Sequence, residues 1–377
     1  MKKTGFLLFA SLLLISGVYA KKSIIISNSL NFDRNAEMVE IKTCALKADF
    51  KTKSYVLKNE KNQEVPYQLI STDKNKQILI LQADVKANSS STYTLTEGKP
   101  AVVNAKTFAG FIPERLDDFA WENDIAAYRM FGPALAVEKP SNGVDFWAKR
   151  TDKLVVKQRY KDELENGITY HVDNGNGLDF YKVAHTFGCG GIAPYASDKL
   201  WVGDYYNHYK VYENGPLRSV FSLIYDSVKV DNEFYKEIFT ITVDAGSIMN
   251  KAEVKYIGKG KNISSLATGI FLHDVKDNLK TDLANGTIAY AENAVSNAGL
   301  PSGRNYVGVF APQKNVIESK EMDNNALLLS SYKTGKIFTY YFGGGWSKWH
   351  FPTDNDWFEA VKNFSLAKNN PLKVKIK

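Results

Sequence analysis

The feature that most constrains this chain is a series of long β-patterned runs beyond about residue 106. "KLVVKQRY", "LRSVFSLIYDSVKV", "FYKEIFTITVDAG", "IMNKAEVKYIG", "IAYAENAV", "YVGVFAP", "ALLLSSY" and "KIFTYYFGGGW" are rich in β-branched and aromatic residues and bounded by Gly, Asn, Asp and Lys turns. They predict one large antiparallel sheet. Shorter runs between residues 23 and 97, "SIIIS", "MVEIK", "KSYVLKN", "QILILQADV" and "STYTLT", predict a small β-sandwich ahead of it, so the chain reads as all-β. One helix stands out near the C-terminus. Thr353 or Asp354 can cap it, and Trp357, Phe358, Val361 and Phe364 recur at helical spacing. The "GGG" at 343–345 reads as a turn or a site of close approach. No internal repeat supports a propeller.

The N-terminus sorts the chain by compartment. Lys2 and Lys3 precede an apolar run, and Val18 and Ala20 fit the small-residue rule of a cleavage site. Residues 1–20 are expected to be a signal peptide cut near Ala20, residues 21–105 a small β-sandwich and residues 106–377 the main domain. The run is too short to anchor in a bilayer, so a periplasmic or secreted protein without a membrane span is expected. A net charge of +7, spread along the chain, carries no nucleic-acid motif and is compatible with an acidic polysaccharide. Cys44 and Cys189 show no metal-ligand spacing, and either a disulfide or two thiols fits them. No metal or cofactor is expected, and no feature sets an oligomeric state.

Candidate site residues fall in a few stretches. In "FAWENDIAAYRMFGPAL", read as one strand, Trp121, Asn123, Ile125, Ala127 and Arg129 share a face. Glu122, Asp124, Ala126 and Tyr128 share the other. Either face reads as core or as a wall that binds substrate. In "DFWAKR", Trp147 suits a stacked sugar ring, with an acid group held by Lys149 or Arg150. "YHVDNGNGLDFYKVAHTFGCGG" holds His171, Asp173, Asp179, Tyr181, Lys182 and His185 among glycines, the residue types suited to proton transfer near neutral pH. Arg218 and Trp346 complete the substrate-binding candidates. No G-x-S-x-G elbow is present.

Four ordered motifs, "PERLDDFAWENDIAAYRMFGPAL", "NGVDFWAKR", "YHVDNGNGLDFYKVAHTFGCGG" and "ENGPLRSVF", resemble the bacterial family catalogued as domain of unknown function 4861. The resemblance covers nearly all of the chain after residue 20. It implies a β-supersandwich of galactose-mutarotase type, a role in polysaccharide degradation and kinship with ulvan oligosaccharide dehydration. Residues 23–97 are also similar to accessory β-domains of carbohydrate-active enzymes, through Asn28, Leu30, Arg34, Glu37, Val39, Ile41, Val65, Pro66 and Gln68. The resemblance implies β-elimination on a uronate-containing oligosaccharide, giving a 4,5-unsaturated sugar. Such chemistry needs the carboxylate neutralised, a base at C5–H and an acid at O4. Arg129 or Arg150, His171 or His185, and Tyr181 are the residues expected to supply these. A glycoside hydrolase using Glu122 or Asp124 with Asp179, and a non-catalytic sugar-binding or mutarotase-like protein, are the alternatives.

Overall fold

The computed structural model describes residues 22–73, 76–137, 143–274 and 278–377; the predicted signal peptide lies outside them. An eight-stranded antiparallel sheet forms the spine. In spatial order it runs His208–Asn214, Arg218–Val230, Glu233–Asp244, Asn250–Ile257, Phe338–Trp346, Pro301–Phe310, Thr287–Val295 and Asn278–Asp282. Alternation builds its inner face, where Phe221, Leu223, Phe239, Ile241, Val254, Tyr340 and Val307 are all buried.

Two five-stranded sheets cover that face. One comprises Thr107–Ile112, Asp118–Asn123, Ala127–Met130, Asp145–Lys149 and Gly177–Asp179, and is called here the 107–179 sheet. The other comprises Gly191–Ala196, Lys199–Leu200, Ser265–Phe271, Val316–Met322 and Asn325–Ser331. The architecture is the antiparallel β-supersandwich expected, with a small N-terminal sandwich and a C-terminal helix.

The glycine run lies inside the strand Phe338–Trp346, so it is a close approach and not a turn. A Cβ on Gly344 would meet the Phe146 ring at 2.6 Å. Helix Asp354–Asn369 starts at Thr353, whose side chain and that of Asp356 form a reciprocal capping box. It buries Trp357, Phe358 and Val361 against Ala289, Ala291, Tyr306 and Phe310 on the outer face of the large sheet.

The small sandwich packs a four-stranded against a three-stranded sheet. Its first strand, Lys22–Ser27, pairs with the last strand of the chain, Lys373–Ile376. Residues 373–376, grouped above with the main domain, thus add a strand to the small one. Gln68 joins the two parts by accepting from the backbone N–H of Leu217 and Arg218 at 2.8 and 2.9 Å.

One predicted strand is a helix. "KLVVKQRY" enters Val156–Asn166, which ends at Gly167 in the left-handed region (φ 65°). Its N-terminal cap comes from a distant strand. Glu122 accepts from the N–H groups of Val155 and Val156 at 2.8 and 2.7 Å, which also places a carboxylate at the positive end of the helix. Cys44 and Cys189 are free thiols. Among the described residues no helix is long and apolar enough to cross a membrane.

Candidate active site

The stretch Phe119–Leu135 is a hairpin, not one strand. Asp118–Asn123 pairs with Ala127–Met130 in a register that sets Ala120 opposite Arg129 and Glu122 opposite Ala127. The intervening turn resets the parity. Arg129 therefore shares a face with Glu122, contrary to the single-strand reading, and Trp121 and Tyr128 share the core face. Asn123 makes the turn: its Oδ1 accepts from Ile125 and Ala126 N–H at 2.9 and 3.0 Å.

Arg129 cannot clamp a substrate. It is 4% exposed, and its guanidinium donates to Asp145 at 2.8 Å, Asp179 at 2.9 Å, Asp118 at 3.3 Å and the Tyr170 hydroxyl at 3.2 Å. The rings of Phe131 and Trp147 flank it at 4.5 and 5.0 Å. Burial pushes all three carboxyls above their ordinary range, and the charge of Asp179 pushes Asp145 further. One guanidinium thus serves three buried acids, an arrangement that holds the sheet to the helix Val156–Asn166 through the Tyr160 hydroxyl on Asp118.

The remaining candidates divide by environment. Trp121 and Trp147 are 0% exposed, so neither offers a face to a sugar. Glu122 is spent on the helix cap and on Lys149 Nζ at 2.9 Å. Asp124 accepts from Gly246 N–H at 2.6 Å, and Arg218 is held by Asp244 and Glu40 at the joint with the small sandwich. Arg150 pairs with Asp173 at the surface. His171 reaches the carbonyl of Asp179 at 3.1 Å, and burial lowers its pKa. His185 is exposed, and Tyr181, Lys182 and Trp346 belong to a second constellation.

That constellation lies where the inner face of the eight-stranded sheet reaches its rim. Glu292, Asn305 and Trp346 stand side by side on three adjacent strands, in the register Glu292↔Asn305 and Asn305↔Trp346. His273, just past the strand Ser265–Phe271, folds over them. Its Nδ1 is 2.9 and 3.0 Å from the two Glu292 oxygens, and its Nε2 is 2.6 Å from the Lys182 carbonyl. A carboxylate and a carbonyl only accept, so both ring nitrogens donate and the imidazole is protonated. Burial opposes that charge, yet the hydrogen bond and charge of Glu292 outweigh it and hold the pKa above 6.5.

Asn305 donates Nδ2–H to Glu292 Oε1 at 2.6 Å. The Tyr181 ring meets His273 edge-on at 4.8 Å. Its hydroxyl is enclosed and has no hydrogen-bond partner among the described residues, and burial with the Glu292 charge keeps it a neutral phenol. Lys348 Nζ lies 5.3 Å from the Trp346 ring. His273 keeps 26% of its side chain exposed while Glu292 keeps 6%, so the imidazole is the solvent-facing member of the dyad.

A family model described as "Domain of unknown function (DUF4861)" matches residues 26–374. The chain belongs to this family. A relative, "Uncharacterized protein P7" of Formosa agariphila, is 26% identical over 389 residues, covering 94% of this chain and 93% of that protein. Two solved Enterococcus faecalis structures share the fold at 9% identity. One is a protein in glycosyl hydrolase family 38 (TM-score 0.51) and the other an alpha-mannosidase (TM-score 0.52). Each matches 95% of this DUF4861 chain, which spans about half of their length, 47% and 46%.

His273, Glu292 and Asn305 escaped the sequence reading. Their signal is positional. Glu292 and Asn305 occupy inward positions of their strands, in line with Tyr290 and Ala294 and with Val307 and Val309. A carboxylate or amide in an inward slot needs a partner.

Proposed function

We propose that this protein is an exported carbohydrate-active enzyme that acts on uronate-containing oligosaccharides by β-elimination, as a dehydratase or lyase. The observation that carries the reading is the Glu292–His273 dyad, with a buried carboxylate behind a solvent-facing imidazole. Glu292 holds Nδ1–H, so Nε2, which lies 2.6 Å from the Lys182 carbonyl, is the nitrogen that gives up its proton and that contact to act as the base. Nε2 takes the C5 proton, the C–H electrons form the C4=C5 bond, and the C4–O4 bond breaks. The same Nε2–H then protonates O4, which leaves as water when O4 is a free hydroxyl and as a sugar alcohol when it is glycosidic. The imidazole is regenerated, and Glu292 stabilises its charged form in between.

The exposed cations Lys182 and Lys348 beside the dyad suit a substrate carboxylate. Tyr181, first assigned to the leaving oxygen, is enclosed and supports the His273 ring instead. A hydrolase reading is less well supported, because Glu122 caps a helix, Asp179 is bound to Arg129 and Asp124 holds a turn. The likeness to glycosidase folds agrees with a sugar substrate. Incubation with a panel of oligosaccharides ending in glucuronate, galacturonate or iduronate tests this, read by ultraviolet absorbance of the conjugated product. Absorbance from the wild type that His273→Ala abolishes is expected. Absorbance undiminished in His273→Ala would remove the dyad from the chemistry.

A further inference from the structure

We propose that Asn305 is a positioning residue for His273, acting through Glu292; this rests on the reading of the dyad as the reactive pair. Three observations carry it. Asn305 sits between Glu292 and Trp346 in the register of three adjacent strands, which fixes its backbone in the row beside Glu292. Its Nδ2 donates to Glu292 Oε1 at 2.6 Å, the same oxygen that lies 2.9 Å from His273 Nδ1. Its Oδ1 is buried with no hydrogen-bond partner among the described residues, although the residue is only 1% exposed.

An amide enclosed in this way with an unpaired carbonyl costs stability that an apolar residue of similar size would not. The reversed amide is worse still, because it sets a carbonyl against a carboxylate. What the residue contributes is therefore the Nδ2–H bond. That bond fixes the Glu292 carboxylate so that it receives Nδ1–H, and this decides which ring nitrogen bears the proton when His273 is neutral. Nε2, held to the Lys182 carbonyl at 2.6 Å, is then the nitrogen that loses its proton and exchanges that contact for the substrate. Without Asn305 the carboxylate can rotate, and the neutral ring divides between its two tautomers.

The test is Asn305→Ala beside Asn305→Ser, which keeps a donor, in the full chain. Nitrogen-15 NMR of the imidazoles needs no substrate. In the wild type above the His273 pKa, the Nδ1–H tautomer is expected to dominate. Asn305→Ala is expected to give a mixture of tautomers, with Asn305→Ser restoring part of the bias. On the uronate substrate that gives absorbance, kcat is expected to fall about 10- to 100-fold with KM nearly unchanged. A thermal melt shows whether each variant is folded; if Asn305→Ala is not, Asn305→Ser carries the comparison. An unchanged tautomer in the folded variant overturns the proposal. A shifted tautomer in a protein that produces no unsaturated sugar would uphold Asn305 and overturn the elimination.

Discussion

His273 Nδ1 lies 2.9 Å from Glu292 Oε1, a contact that spans nineteen positions in sequence and joins the end of the central strand of one sheet to the inner face of another. Because the folded pKa is raised above 6.5, the stability this pair contributes is fully present below pH 6.5 and is lost as pH rises through the folded value. NMR titration of the imidazole is expected to show a midpoint above 6.5. Glu292→Gln removes the charge that outweighs burial and leaves the Lys182 carbonyl as the remaining partner, so the midpoint is expected to fall from its wild-type value. Since the neutral ring is the base, turnover is expected to rise with pH through the wild-type midpoint.

Tyr181 and His273 separate a supporting residue from a reacting one. The Tyr181 hydroxyl makes no hydrogen bond among the described residues, so Tyr181→Phe is expected to keep kcat within about tenfold of wild type and to leave stability within about 1 kcal/mol. His273→Ala is expected to lose turnover by several hundredfold or more, given the usual worth of a positioned acid–base group, about 10²–10⁴. Steady-state assays of both variants check this.

The Arg129 cluster governs stability. Arg129→Met leaves Asp118, Asp145 and Asp179 buried without their shared cation. A loss of about 3–5 kcal/mol is expected, measured by urea unfolding at neutral pH. The loss is expected to shrink as pH falls and the carboxyls take up protons.

Glu237 offers a second pH lever away from the dyad. It is 6% exposed on the inner face of the large sheet, beside a cavity of about 30 Å³, and burial pushes its carboxyl up to about 8 from 4.5. The folded state holds this proton more tightly than the unfolded chain, so stability falls as pH rises from 4.5 to about 8. Glu237→Gln is expected to remove that slope and to be more stable than wild type at pH 9 by on the order of 4 kcal/mol. Denaturant melts at acidic and alkaline pH decide it.

The sheet core was legible in the sequence because alternation writes it there: Phe239, Ile241 and Val243 on one strand need no partner to be read as inward. The helix Val156–Asn166 was not, because its cap, Glu122, is contributed by another strand and leaves no local signature. The turn after Asn123 reversed every parity beyond it, which moved Arg129 to the face of Glu122. Of the site, Tyr181, Lys182 and Trp346 were found by composition. His273 was passed over for the glycine-flanked His171 and His185, and its importance depends on a strand pairing that sequence spacing does not display.

Product mass in ¹⁸O-labelled water tests the central claim most directly. Elimination adds no water to the sugar, so from a substrate blocked at its reducing end as a methyl glycoside the account predicts an ultraviolet-absorbing product without ¹⁸O, lighter than its precursor by one water if O4 was free. A product that carries ¹⁸O at a new reducing end and does not absorb would contradict it and make the enzyme a hydrolase.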